Sequence, residues 1–453
     1  MALQERTNFG SKIGVILATA GSAVGLGNIW RFPYITGENG GAAFIVCYIV
    51  CIVILGLPCM INEFIIGRHA RSNTARAYRK LGGRSPWMIT GYLGVLTGFL
   101  IISYYAVVSG WCLQYIYASL SGHLHGNPQF IKDYFTDFET HPLKPVLCTV
   151  LILAATHAVI ARGVKGGIEK ASKMMMPTLF VLLLLIVATA CLLPGAERGI
   201  AFLLKPDFGK VSGDVLLGAM GQAFYSLSIG MGCLCTYASY FSKDTNLAGT
   251  AVKIGAIDSI VAVLAGLMIF PAAFSVGVEP DSGPSLIFIT LPNVFHQAFS
   301  SVPLAGDVIA ILFYALLSLA ALTSLISLHE VSTAFLTEEL NIPRRRGALI
   351  VTVGAIAVGT FCSLSLGGHE GLQLFGRPLF DIFDFVTGQI FLPVVGFLTC
   401  IFVGWRLPDQ LVRDEFTNNG ALKGNLYRLY IFSIRIVCPA GIALIFLHQL
   451  GII

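Results

Sequence analysis

An aspartate in the middle of an apolar run is the first residue in this chain that invites chemistry. Asp258 lies within KIGAIDSIVAVLAG. A carboxyl there is either a buried acid bonded to a neighbouring helix or a hard oxygen ligand that lends a cation site a full negative charge. Thr323 and Ser324 are adjacent hydroxyls in SLAALTSLISLHE. Such hydroxyls usually bond back to the preceding turn. The backbone adds a second kind of group. ATAGSAVGLGNIWRFP holds Gly21, Gly25 and Gly27, with Asn28 directly after. Each glycine costs a helix about 1 kcal/mol relative to alanine, so the cluster invites unwinding. The half-helix after such a break offers free amides near Leu26 and Gly27, which suit a carboxylate. The half-helix before it ends in free carbonyls from Ala20 to Val24, which suit a cation.

These groups need apolar helices to hold them. Hydrophobic residues make up 55% of the 453 and charged residues 12%, with mean hydropathy +0.79. A water-soluble protein of that length needs more charge on its surface; lipid as solvent removes the need. With about 20 residues per span, eleven apolar runs qualify, near 13–36, 41–66, 87–121, 143–160, 172–193, 213–240, 249–277, 303–336, 347–367, 380–405 and 429–451. A shorter, proline-bearing run near 284–301 reads as a re-entrant or surface element. Most Lys and Arg fall in alternate connections, for example Arg68 to Arg84, Arg162 to Lys173 and Arg344 to Arg346. The opposite loops hold only Lys132, Lys144, Arg198, Lys205, Lys210 and Arg377. The bias puts the N-terminus in the cytoplasm and, after eleven spans, the C-terminus outside. The net charge of +5 is then a cytoplasmic-face signal, and nucleic acid is not a partner. Cys47, Cys51, Cys191 and Cys400 sit inside apolar runs and read as small buried residues. The first apolar run continues into site-bearing sequence and is no signal peptide.

The sixth run, GQAFYSLSIGMGCLCTYASY, is interrupted by Ser226, Ser228, Gly230 and Gly232 at the same relative depth as the first. Either cluster alone also suits close helix packing through small residues. Two at matching depth, five spans apart, imply a second unit inverted relative to the first. That is the pattern of a secondary transporter with a midplane site.

Few other charges lie within the runs: Arg31, Glu63, Glu330, Asp384 and Arg435. Arg31 lies just above the first break and Asp384 near the outer end of the tenth run, and they suit an outer gate, Arg6 and Glu338 an inner one. Arg435 reads as snorkelling. His329 has Thr333 and not a second His four residues on, so a zinc-protease helix is unsupported, and no nucleophile–base spacing points to an enzyme. Tyr104 and Tyr105 are equally consistent with packing.

GSAVGLGNIWRFP, ENGGAAF, IEKASKMMMPTLF and GQAFYSLSIGMG…TYASY closely resemble the neurotransmitter:sodium symporter family over essentially the whole chain. The resemblance implies the LeuT fold: an all-α polytopic membrane protein with a 5+5 inverted repeat and broken helices 1 and 6. Here it would form one transporter domain over 1–453, the first repeat about 11–193, the second about 213–405, and an extra helix about 429–451. It further implies a first sodium site of the Ala23 carbonyl, Asn28, Ser226, Asp258 and the substrate carboxylate. A second would use the carbonyls of Gly21, Val24 and Ala320 with the hydroxyls of Thr323 and Ser324. Substrate carboxylate would meet the Leu26 and Gly27 amides and Tyr105, and the ammonium the carbonyls near Ala23, Tyr225 and Ser228. Ile101, Tyr105, Tyr225, Ser228, Met231, Ser324 and Leu328 would surround the side chain, beside Gly25 and Ser226.

Two departures matter. Monoamine-carrying members place Asp where Gly25 stands, so glycine implies a substrate bringing its own carboxylate. Members usually have Asn where Asp258 stands. Chloride-dependent ones carry Ser four residues later, and some bacterial ones Glu; here that residue is Ala262. Asp258 would supply the negative charge, so chloride is not expected. With no charge in the pocket and an adaptable Met231, the expectation is two-sodium symport of hydrophobic L-amino acids, branched and aromatic, in a bacterial plasma membrane. A proton-coupled or uncoupled carrier and a non-transporting sensor on the same scaffold are the rivals.

Overall fold

A computed structural model describes residues 8–277, 286–299, 304–367 and 370–452. Their architecture is helical, apart from an antiparallel pair of two-residue strands, Gln373–Leu374 and Arg377–Pro378. In chain order the helices are α1 (Lys12–Ala23), α2 (Gly27–Glu38), α3 (Ala42–Ala70), α4 (Met88–Leu120), α5 (Pro128–Thr140), α6 (Lys144–Ile160) and α7 (Val164–Cys191). Then come α8 (Gly213–Ser226), α9 (Cys233–Ala238), α10 (Leu247–Ser275), α11 (Thr290–Ala298), α12 (Ala305–Glu339) and α13 (Arg344–Leu366). α14 (Leu379–Arg406), α15 (Asp409–Thr417) and α16 (Tyr427–Gln449) complete the chain. Short helices at Thr74–Gly82 and Ala196–Leu204 join longer ones.

By length and composition, eight helices among the described residues can cross a membrane, or ten when the bent pairs α1–α2 and α5–α6 each count as one. The sixth apolar run falls on α8 and α9, of 14 and 6 residues, each too short to cross alone. The run near 284–301 contributes the nine-residue α11; its outermost residues, 284–285 and 300–301, lie outside the described residues. All eleven cysteines are free.

Polar caps start several helices. Ser11 accepts from the Gly14 amide, Asn73 from Arg76, Ser212 from Val215 and Asn246 from Gly249. Proline shapes their interiors. Pro33, Pro58, Pro393 and Pro439 each follow a widened π turn: Gly27–Arg31, Ile52–Gly56, Val386–Phe391 and Ser433–Val437. A proline has no N–H to give and its ring crowds the carbonyl four residues back, so the preceding turn opens.

Two groupings position the site. α4, α6, α12 and α13 pack on one another, and α1 lies against α7, α10 and α12. α3 packs along α8 and α9. Both breaks thus fall where these groups meet.

Candidate functional site

The first helix bends by 53° between α1 and α2. The Val24 amide reaches the Ala20 carbonyl at 2.7 Å, and the Asn28 amide reaches the Gly25 carbonyl at 3.2 Å. The Leu26 amide leaves the helix altogether and donates to the Tyr105 hydroxyl oxygen on α4, at 3.0 Å. Gly25 is required by space. A Cβ there would lie 2.5 Å from Ser324 Oγ and 3.0 Å from Tyr105 Oη.

The second break runs from Leu227 to Gly232. Ser228 and Gly230 adopt left-handed backbone, with φ of 55° and 85°. Glu63 of α3 holds the unwound segment. One of its carboxylate oxygens accepts from the Gly230 amide at 2.7 Å, the other from the Cys235 amide at 3.2 Å. These are amides that a broken helix would otherwise leave bare. The breaks are also tied to each other, because Ser228 Oγ donates to the Ser22 carbonyl at 2.8 Å.

Between the breaks lies a narrow cavity of about 40 Å³. Ala23, Gly25, Gly27, Ile101, Tyr105, Tyr225, Ser226, Ser228, Met231, Ser324 and Leu328 line it, joined by Ser22 and Cys233. Leu26 presents its amide to Tyr105 at the rim and lines the larger space above. No charged side chain is among the lining residues. A polar cradle of amides and hydroxyls at one end, with Ile101, Met231 and Leu328 at the other, suits a zwitterion with an apolar side chain.

Beside this cavity Asp258 is fully buried, as is Asn28. Asn28 Nδ2 donates to Asp258 Oδ1 at 2.7 Å, Ser226 Oγ lies 2.9 Å from Oδ2, and the Tyr48 hydroxyl donates to Oδ2 at 2.8 Å. Three residues expected to share a cation therefore meet. The amide of Asn28 is turned differently from the expectation: its nitrogen faces Asp258 while its oxygen accepts from the Gly25 amide at 3.2 Å. Rotation of that amide about its last bond would exchange the two and bring an oxygen to the carboxylate.

Of the other expected cluster, Thr323, Val24 and Ala320 come together, while the Ser324 hydroxyl faces Gly25 in the cavity. Thr323 Oγ1 bonds back to the Ala320 carbonyl at 2.8 Å and reaches the Val24 carbonyl across the break at 3.3 Å. Gly21 faces Thr323 closely, since a Cβ there would lie 3.3 Å from Thr323 Cβ. Hard oxygens from two helices thus converge, a donor set fit for an alkali cation.

The gates differ from expectation. Arg31 and Asp384 both line a vestibule of about 460 Å³ above the cavity, yet no ion pair joins them among the described residues. Arg31 instead lies 4.4 Å over the Tyr225 ring, a cation–π contact. Arg6 lies outside the described residues. Glu338 accepts from the Asn73 amide at 2.8 Å and from its side chain at 3.0 Å. Glu330 is paired with Arg344 and takes the Tyr240 hydroxyl at 2.6 Å. Arg435 reaches the Gly404 carbonyl at 2.6 Å.

Sequence reasoning missed Tyr48, Ser22, Cys233 and Gln222, whose side-chain nitrogen bonds the Gly27 carbonyl at 3.3 Å. A tyrosine in FIVCYIVC carries no local signal beyond a hydroxyl in an apolar run.

The chain matches the model of the "Sodium:neurotransmitter symporter family" over residues 6–128 and 139–452. It is 38% identical over 457 residues to an uncharacterized sodium-dependent transporter of Bacillus subtilis, covering 100% of both chains. A second such transporter, from Haemophilus influenzae, is 35% identical over 460 residues, covering 99% of each. A third, from Methanocaldococcus jannaschii, is 31% identical over 451 residues, covering 95% of this chain and 88% of its own. Among solved structures, MhsT in complex with L-phenylalanine superposes with a TM-score of 0.88 at 40% identity, over 98% of this chain and 100% of that one. The two broken helices therefore belong to the LeuT fold, and the cavity between them to a sodium-coupled carrier and not to an enzyme: this chain is a member of the sodium:neurotransmitter symporter family.

Proposed function

We propose that this protein takes up hydrophobic L-amino acids, branched and aromatic, together with two sodium ions, by alternating access and without chloride. The observation that carries this reading is the uncharged cavity between the breaks, polar at the Leu26–Tyr105 end and apolar toward Ile101, Met231 and Leu328. The likeness to MhsT, solved with L-phenylalanine, supports the same substrate class. Gly25 leaves no room for a side chain that could replace a missing substrate carboxylate.

In this reading the Leu26 amide and Tyr105 hydroxyl, bonded to each other at 3.0 Å, both turn to the substrate carboxylate. One sodium lies among the Ala23 carbonyl, Asn28, Ser226, Asp258 and that carboxylate, so substrate and ion bind better together. The other lies among the carbonyls of Gly21, Val24 and Ala320 and the hydroxyls of Thr323 and Ser324. Asp258 brings the charge that chloride would otherwise bring. Arg31 leaves the Tyr225 ring and pairs with Asp384 when the vestibule closes; Arg6 and Glu338 latch the opposite side.

The chain crosses a bacterial plasma membrane eleven times, with α8 and α9 making one broken span, the N-terminus in the cytoplasm and the C-terminus outside. Radiolabelled leucine and tryptophan uptake into proteoliposomes tests the function. Uptake should require an inward sodium gradient and persist when chloride is replaced by gluconate. Equal uptake without sodium would favour a proton-driven or uncoupled carrier. Binding without counterflow would favour a sensor.

A further inference from the structure

We propose that the outer end of the bundle carries a site for a divalent transition metal of the zinc class, made by His125, His296 and Asp307. The three come from separate parts of the chain. His125 stands in the connection between α4 and α5, His296 is on α11, and Asp307 lies in the first turn of α12. Each offers one ligand atom, and these atoms all lie within 4.8 Å of one another.

The geometry is already close to a coordination sphere. His125 Nε2 and His296 Nε2 lie 2.7 and 3.7 Å from the same oxygen, Asp307 Oδ1. Ligands held at about 2.0–2.1 Å around a tetrahedral centre are roughly 3.4 Å apart, and the two distances bracket that value. The rings approach edge to face, with centroids 4.5 Å apart. His296 Nε2 is enclosed and has no hydrogen-bond partner among the described residues. His125 is the exposed member at 54%, whereas Asp307 is 14% exposed, so the site opens to solvent on one side.

The donor set names the class of ion. Two imidazoles and one carboxylate, with a fourth position facing water, suit zinc and its first-row neighbours. Calcium and magnesium prefer all-oxygen shells. Binding needs the Nε2 lone pair of His125, so its ring proton moves to Nδ1 or to solvent as the ion enters. A bound ion would add a coordinated tie between the α4–α5 connection, α11 and the head of α12 to the packing already present, such as Phe295 on Phe313.

Calorimetric titration of ZnCl2 into the tag-free, detergent-solubilised protein tests this without any transport step. We expect one saturable site that excess MgCl2 does not displace. His125→Ala, His296→Ala and Asp307→Asn should each weaken it at least ~10-fold. His123→Ala, a neighbouring histidine stacked between Tyr117 and Tyr134, should leave it within about two-fold. A cobalt titration should give the visible bands of a four-coordinate nitrogen–oxygen site, lost in His296→Ala. The proposal is overturned if zinc does not bind, if the double variant His125→Ala/His296→Ala binds it as the parent does, or if His123→Ala weakens it equally. Failure of sodium-driven uptake would leave this result untouched.

Discussion

Replacing Asp258 by Asn changes one atom and removes a full charge from a site with no exposed surface. Three donors converge on the carboxylate, from Asn28 at 2.7 Å, Tyr48 at 2.8 Å and Ser226 at 2.9 Å. An amide can accept from some of these, but its own NH2 must face at least one of them, so a hydrogen bond is lost as well. The electrostatic part is set by a unit charge near a bound cation. That attraction is about 4 kcal/mol at 4 Å in surroundings of intermediate polarity. The amide oxygen retains some of it, leaving a net loss of about 2–4 kcal/mol, roughly 30- to 1000-fold in sodium affinity. The assay is leucine uptake in proteoliposomes against external sodium, with equilibrium binding of labelled leucine as a second readout. Half-saturating sodium should rise by at least the lower figure, and leucine binding at low sodium should fall with it. A variant with the parental sodium dependence would refute the reasoning that Asp258 is a cation ligand, whatever its effect on maximal uptake.

Gly25→Ala should abolish substrate binding, because its Cβ would meet Ser324 Oγ at 2.5 Å; Gly213→Ala, with nothing within 4 Å, should bind normally in the same filter assay. Tyr48→Phe removes one hydrogen bond from a buried carboxylate and should lower thermal stability in detergent by about 1.5–3 kcal/mol, measured by tryptophan fluorescence. Arg68→Ala leaves Glu415, which it meets at 2.6 Å, with His69 as its remaining partner, and should cost about 1–3 kcal/mol by the same measurement. Burial alone would raise the Glu415 pKa, but the His69 hydrogen bond and the Arg68 charge outweigh it and hold it below the usual carboxylate value. Its contribution is therefore complete above about pH 4.3, the unfolded carboxylate value, and is lost as pH falls through the lower folded one. Glu415→Gln should flatten that acid limb, and an unchanged limb would exclude the pair as its source.

The features legible in the sequence were those that are costly in lipid. Gly21, Gly25 and Gly27 weaken a helix that has no water to fall back on, and Asp258 has no business in an apolar run without a partner. Both mark their places without any knowledge of the neighbours. What stayed hidden depends on what faces what. Tyr48 matters because it lies opposite a residue 210 positions away, and a hydroxyl in an apolar helix looks the same whether it packs or donates. Glu63 was visible as a buried charge, but its two amide partners exist only once the second break is formed. Arg31 and Asp384 were paired by their depth in the chain, but the face Arg31 turns to, the Tyr225 ring, is set by the fold. The split of the sixth span into α8 and α9 was readable as a weakness, and its two short halves explain why length alone finds ten spans.

The widened turns before Pro33, Pro58, Pro393 and Pro439 carry a consequence for how this chain tolerates insertions and deletions. Each π turn is in effect one residue more than a regular helix needs. Deleting a residue from Ile52–Gly56 would let an ordinary turn close there, at no loss of backbone hydrogen bonds. It would also rotate everything on one side by about 100°. Tyr48 lies before that turn and Glu63 after it, and each serves a different break. One helix therefore keeps two partners in phase only because it is locally irregular. A shorter, straighter version could serve Asp258 or the second break, but not both.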